Sequence, residues 1–225
     1  MSLLLNIDTA LETGSVCLAQ SGTTIESRVN HHQHDHAAWL HPAIHELLHH
    51  NKLEAAQLDA IAVTIGPGSY TGLRIGLSAA KGLCYALNKP LITVSTLEVL
   101  ASLVIDDADQ LICPVIDARR MEIFAALYNK DLQLISEPGA IVLQYDSFSN
   151  ILASQQVLFC GNAVTKMQPL ITSPNASFTN RVTSALHLAP LAYQRFTSGL
   201  FADLAYTEPL YLKEFYFPQP KVKGN

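Results

Sequence analysis

The chain has 225 residues, 49% hydrophobic and only 15% charged, enough to bury a core in one large domain or two small lobes. Its net charge of −5 argues against autonomous nucleic-acid binding, because neutralising phosphates takes a basic surface. The four cysteines, Cys17, Cys84, Cys113 and Cys160, lie far apart in apolar runs without C-x-x-C spacing, so they read as small buried hydrophobes in a reducing compartment rather than as disulfides or a zinc site.

Residues 3–8 read as a strand ending in the carboxylate of Asp8. Turn chemistry at 11–14 leads into a returning strand at 15–19, and a third strand is expected at 24–29, which together make an antiparallel meander. Residues 36–48 place Leu40, Ile44, Leu47 and Leu48 on one helical face, with Pro42 either starting or kinking the helix. A strand at 61–65, a helix at 70–87 and a strand at 91–94 follow, and Ser95 or Thr96 caps a helix over 97–104. The first half therefore reads β-β-β-α-β-α-β-α.

The polar stretch 106–109 marks a linker. Strands at 111–116 and 122–128 flank a charged turn, weaker strand signals at 132–135 and 140–143 read as one bent strand or two, and 157–160 is another strand. An amphipathic helix is expected at 185–200, and 218–225 looks like a frayed tail. The second half thus resembles a reduced copy of the first: lobes at 1–105 and 106–184, then a closing segment and tail at 201–225. No apolar run approaches the about 18 residues that span a bilayer. The N-terminus has no basic region and meets Asp8 too soon for a signal peptide, so the expected location is the cytoplasm.

The most informative segment is Gly66-Pro67-Gly68-Ser69-Tyr70-Thr71-Gly72-Leu73-Arg74. A strand, a glycine loop and a helix N-terminus present bare backbone N–H groups, which suits an anion. Gly72 is followed by Leu73 and Arg74 rather than by Lys-Ser/Thr, so the loop is not a P-loop, and it implies close backbone approach without naming a nucleotide. Asp8-Thr9-Ala10 either holds a magnesium ion or water in a phosphotransferase lobe or serves the turn into the next strand.

Glycine inside a helix costs about 1 kcal/mol relative to alanine, so Gly72, Gly76 and Gly82 need a reason. The reading adopted here turns Leu73, Leu77, Cys84 and Leu87 to the sheet. Gly72, Gly76, Ala79, Leu83 and Ala86 then lie on another face, either an exposed docking surface or a seat for a helix of the same chain. Arg74 and Lys81 either reach an anion at the loop or are solvated.

His31, His32, His34, His36, His41, His45, His49 and His50 crowd one stretch, and His41, His45 and His49 share a helix face. Without H-E-x-x-H or a third-ligand pattern they read as surface histidines that can make an interface pH-sensitive. Asp117, Arg119, Arg120 and Glu122 surround a turn that is either ordinary or a clamp for a phosphate or partner. Gly-x-Ser-x-Gly is absent and His187 is isolated in sequence.

Four blocks resemble the TsaB (YeaZ) family: Ile7-Asp8-Thr9-Ala10, the block from Gly66 to Leu83, Pro90 to Glu98, and Pro114 to Arg120. Glu208-Pro209-Leu210-Tyr211-Leu212 looks like that family's closing motif. The resemblance implies an actin-like (ASKHA) α/β fold of two lobes, each with a mixed sheet and helices, the helix at 185–200 completing the first lobe. It implies a scaffold that binds TsaD, the enzyme that makes threonylcarbamoyladenosine (t6A) beside the tRNA anticodon. TsaE joins the complex, tRNA is contacted only indirectly, and the chain self-associates as a homodimer without TsaD. In TsaD an H-x-x-x-H pair holds the metal; here those positions are Thr96 and Leu100, so the resemblance implies no metal, cofactor or chemistry of its own, with ATP or ADP at the complex interface.

The docking face is expected on the two helices at 36–51 and 70–87, through His36, Leu40, Ile44, Tyr70, Gly72, Arg74, Gly76, Ala79, Leu83 and Ala86. The alternative is an actin-like ATPase or phosphotransferase using Asp8, Gly66, Gly68 and Gly72, with Asp117. A metalloprotease and a metal-binding module on His41, His45 and His49 are weaker readings.

Overall fold

The computed structural model describes residues 1–32 and 35–213; His34 and the tail at 218–225 lie outside the described residues. Among the described residues, ten strands form two five-stranded sheets. The first contains β1 (Leu3–Asp8), β2 (Gly14–Gln20), β3 (Thr23–Asn30), β4 (Ala60–Thr64) and β5 (Leu91–Val94) in the order β3-β2-β1-β4-β5. The second contains β6 (Leu111–Asp117), β7 (Glu122–Asn129), β8 (Leu134–Val142), β9 (Val157–Cys160) and β10 (Ala176–Thr179) in the order β10-β9-β6-β7-β8. In both, the first three strands pair antiparallel and the last two join parallel to the first. The two halves therefore share one topology, and the architecture is the two-lobed actin-like α/β fold.

The helices are α1 (His36–His50), α2 (Tyr70–Leu87), α3 (Thr96–Ser102), α4 (Ser149–Leu152), α5 (Val164–Met167) and α6 (Ala185–Thr197). The side chain of Ser69 caps α2 by accepting from Gly72 N at 3.3 Å, and Asn88 ends it in the left-handed conformation. Pro42 sits inside α1 on its exposed side. The paired signals at 132–135 and 140–143 belong to the single strand β8, whose pairing with β7 is irregular. α4 and α5 escape sequence reading because one helical turn shows no period, and β10 does so because Ala176-Ser177-Phe178-Thr179 lacks the largely apolar run of the equally short β5 and β9.

α1 and α2 cover one face of the first sheet through Leu40, Ile44, Leu47, Leu77 and Ala80. The other face is covered by α6, more than 80 residues downstream of β5 in the chain: Leu188, Leu191 and Ala192 meet Leu4, Ala60, Ala62, Ile92 and Val94. Ala185 and Ala189 sit on Cys17 and Ala19, small residues that let helix and sheet approach closely. α3 goes the other way, packing Leu97, Leu100 and Ala101 on Ile112, Ile116, Ala126 and Leu158 of the second sheet. The final helix of each half thus covers the sheet of the other half. All four cysteines are free and buried, and burial pushes the thiols of Cys84 and Cys160 up to about 11 and about 12. No described helix is long and apolar enough to cross a membrane.

Candidate partner face and the glycine loop

The glycine loop is in close backbone contact, and what approaches it is this chain itself. Ser69 N donates to Ala10 O at 2.7 Å, and Thr9 Oγ1 donates to Gly72 O at 2.7 Å. Gly66 O accepts from Thr96 N at 2.9 Å and from Ser95 Oγ at 3.3 Å. A Cβ on Gly68 or Gly72 would lie under 3.0 Å from the backbone oxygen of Ala10 or Thr9 respectively, and one on Gly66 would lie 2.8 Å from Leu210 O. The β1–β2 turn and the closing segment therefore fill the space beside the loop. Asp8 is 1% exposed, and its Oδ1 accepts from Thr64 Oγ1 at 2.7 Å and from Ala10 N at 3.1 Å. In this arrangement its carboxylate fastens the turn.

The face expected for two helix glycines is corrected. A Cβ on Gly76 would lie under 3.0 Å from Thr9 Oγ1 and within 4 Å of Val63 and Ile7, so Gly76 points inward at the sheet. Gly72 is likewise buried against Thr9. The hydrogen bond from Thr9 to Gly72 O draws the end of β1 onto the helix, and any side chain would block that approach. Neither glycine belongs to an outer surface, and a large residue at Gly76 disturbs the fold itself. His36 is corrected too: it is 2% exposed, sits against Gly14, and its Nδ1 lies 3.5 Å from Asn30 Nδ2.

What opens outward is a groove of about 390 Å³ between α1 and α2, lined by Ala37, Leu40, His41, Ile75, Ser78, Ala79, Gly82 and Leu83. Of the expected set, Leu83 lines it half-buried, whereas Leu40 and Ala79 are buried and form its floor. Ile44 is buried in the core beneath, and Ala86 is exposed farther along α2. Ala37, Ile75 and Ser78 lie outside the expected set, because single small or apolar residues carry no separate signal there.

Arg74 and Lys81 neither reach the loop nor stand free in solvent; both grip the closing segment. Arg74 Nε donates to Tyr211 Oη at 3.0 Å, its Nη2 donates to Tyr70 Oη, and its guanidinium lies 4.0 Å from the Tyr70 ring centroid. The Tyr70 and Tyr211 rings stack at 4.7 Å. Lys81 Nζ donates to Ala205 O at 3.2 Å and to Thr207 O at 3.1 Å. Ala202 N donates to Leu91 O at 2.8 Å and Leu210 N to Ile65 O at 2.7 Å, so the segment straps the edge of the first sheet; Lys213 then pairs with Glu122 of the second.

Thr96 and Leu100 lie on α3, both fully buried between the halves, with Leu100 Cδ1 3.3 Å from the Cβ position of Gly161. Among the described residues, no three His, Cys, Asp or Glu side chains are grouped to hold a metal. His45 and His49 stack at 6.2 Å on the exposed side of α1. Asp117 Oδ1 accepts from Lys166 Nζ at 2.6 Å and from Arg119 N at 2.6 Å, which ties the charged turn internally.

His187, isolated in sequence, sits near the Asp8 end of β1. Its Nδ1 accepts from Ser184 N at 3.1 Å at the start of α6. Burial holds its pKa below the ordinary 6.5; the Asp8 carboxylate pulls it up and Arg181 pushes it down. The folded state thus prefers the neutral ring, so the stability linked to it is present above 6.5 and is lost as pH falls through the depressed folded value. His187→Gln keeps an acceptor at this capping position without the titration. Thermal melts between about pH 7.5 and 5.5 should show the variant gaining on the native chain as pH falls; parallel curves would mean His187 adds no proton linkage.

Residues 24–221 match a family model described as TsaD: tRNA N6-adenosine threonylcarbamoyltransferase. The tRNA threonylcarbamoyladenosine biosynthesis protein TsaB of Bacillus subtilis (strain 168) is 33% identical over 171 residues, covering 75% of this chain and 74% of that protein. The TsaB of Escherichia coli (strain K12) is 29% identical over 226 residues, covering 93% and 94%. A solved structure described as YeaZ from Pseudomonas aeruginosa superposes with a TM-score of 0.80 at 27% identity, covering 94% of this chain and all of that one. With this duplicated topology, this glycine block and these relatives, the chain belongs to the TsaB (YeaZ) family of tRNA threonylcarbamoyladenosine biosynthesis proteins.

Proposed function

We propose that the chain is a non-catalytic scaffold subunit in t6A synthesis that binds TsaD through the α1–α2 face and holds it in an active conformation. The observation that carries this reading is the groove between α1 and α2, whose rim of Ala37, Ile75 and Leu83 is exposed or half-buried above a buried floor of Leu40 and Ala79. The apolar surface of such a rim is stabilised by burial against a partner. The family resemblance aligns Thr96 and Leu100 with the metal-binding histidines of TsaD; both are fully buried and neither offers an imidazole, which supports the reading of a role without chemistry. In this proposal TsaE joins the assembled complex, ATP or ADP sits at the complex interface, and tRNA is reached through TsaD. The same face makes a homodimer when TsaD is absent.

Light scattering of the chain alone and mixed with TsaD from the same organism tests this. The expected result is a homodimer that gives way to a heterocomplex. Leu83→Glu, which places a charge in the groove, should weaken TsaD binding by about 30-fold or more while leaving the thermal transition in place. A chain that ignores TsaD but turns over ATP, and loses that turnover in Asp8→Asn, would overturn the scaffold reading in favour of an actin-like ATPase.

A further inference from the structure

Resting on the docking role of α1 and α2, we propose that Arg74 is a preassembled anchor for a carboxylate on an acidic surface of the partner. The closing segment at 201–213 is then a third element of the docking face, because its Tyr211 holds that anchor in place.

The charges on α2 are held by neutral groups of the chain. Arg28, Lys166, Arg181, Arg195 and Lys213 each face a carboxylate of the chain. Arg74 and Lys81 are fixed by neutral acceptors instead, two phenol oxygens for one and two backbone carbonyls for the other. Among the described residues neither has a carboxylate within 4.0 Å, and the sequence of α2 contains neither Asp nor Glu. A neutral acceptor fixes the position of a cation without cancelling its charge. Both charges therefore remain available to an external anion on a protein whose overall charge is −5.

Arg74 is also preorganised. Its guanidinium lies over Tyr70, and Nε and Nη2 are oriented by the stacked tyrosine pair. A guanidinium has five N–H donors, so donors remain for a carboxylate after both phenols are served. Ordering a long side chain normally subtracts from binding, and here that ordering is complete before the partner arrives.

The location fits a docking face. Arg74, Leu77, Ser78, Lys81, Glu208 and Tyr211 help line a surface pocket of about 290 Å³. Ser78 lines both this pocket and the α1–α2 groove, so the charged site and the apolar groove meet across α2. An apolar centre beside an Arg–Tyr cluster is the composition of a binding hot spot with its polar rim. Glu208 shares the pocket without pairing with either cation. Its negative charge opposes a dianionic phosphate more than a single carboxylate, which favours an acidic side chain as the occupant.

The test uses the full chain and TsaD, with affinity measured at two salt concentrations for the native protein, Arg74→Gln, Arg74→Lys, Tyr211→Phe and Leu83→Glu. The expected result is a loss of about 30-fold or more for Arg74→Gln, together with a weaker dependence on salt. Arg74→Lys should keep the salt dependence without regaining the affinity, because a point charge lacks the planar fork. Tyr211→Phe keeps the stack and the charge but removes the Nε acceptor, and should weaken binding less than Arg74→Gln. Native affinity and salt dependence in Arg74→Gln, with Leu83→Glu still defective, would overturn the anchor and leave the docking face standing. Native affinity in both Arg74→Gln and Leu83→Glu would remove the docking face itself. Competition by inorganic phosphate at millimolar concentration, lost in Arg74→Gln, would make the pocket a phosphate site and overturn the carboxylate assignment.

Discussion

Gly72→Ala and Gly82→Ala, two identical changes on the same helix, should shift stability in opposite directions. At Gly72 the new Cβ would lie under 3.0 Å from the backbone oxygen of Thr9. That oxygen belongs to the chain just past the end of β1, whose residues are buried throughout, and Thr9 Oγ1 is itself bonded to Gly72 O at 2.7 Å. A rotamer change cannot relieve a clash with backbone, so the helix or the strand end must move. The expected loss is about 3 kcal/mol, at the upper end of overpacking costs. For a chain of this size that lowers the melting temperature by roughly 6–12 °C.

At Gly82 nothing lies within 4 Å of the added methyl, and the residue is exposed on the helix. Alanine there removes unfolded-state freedom and should stabilise by about 0.5–1 kcal/mol. Differential scanning calorimetry of the two variants decides the matter. An unchanged Gly72→Ala would mean that the β1–β2 turn yields easily and that the inward assignment of this helix face fails.

The pair also marks what sequence can and cannot tell. Three glycines in a helix announce that something comes close, and the bounds of α2 at 70 and 87 are legible from its cap and its apolar spacing. Which element approaches is not legible. The contact from Thr9 to Gly72 joins residues 63 apart, and glycine contributes nothing to an apolar periodicity that would orient the face. The strap is hidden for the same reason: Arg74 and Tyr211 meet across 137 positions, and Lys81 is held by carbonyls that any residue supplies. The succession of strands along the chain, by contrast, is legible as two similar runs, β10 excepted, because buried strands write their apolar pattern locally; the order of strands within each sheet is not. The second run looked reduced because its covering helices α4 and α5 are four residues each.

Residues 1–105 produced alone should fail to form a cooperatively melting domain, although they contain all five strands of the first sheet and α1, α2 and α3. The missing element is α6. Without it Leu4, Ala60, Ala62, Ile92 and Val94 lose the cover of Leu188, Leu191 and Ala192, and Cys17 and Ala19 lose that of Ala185 and Ala189. α3 in turn loses the cover that Leu97, Leu100 and Ala101 take from Ile112, Ile116, Ala126 and Leu158 on β6, β7 and β9, and keeps only Ala10, Leu11 and Leu73 of its own half. Each large aliphatic side chain returned to water forfeits about 1.5–3 kcal/mol. Several together amount to something on the order of 10 kcal/mol, comparable with the whole stability of a typical domain. The fragment is therefore expected to bind a hydrophobic dye and to lack near-UV circular dichroism and a sharp calorimetric transition. Adding a peptide of residues 184–198 should restore part of the transition if the loss of α6 dominates. A fragment that melts cooperatively without that peptide would show that the first sheet holds itself together, and that the exchange of final helices between the halves serves orientation rather than stability.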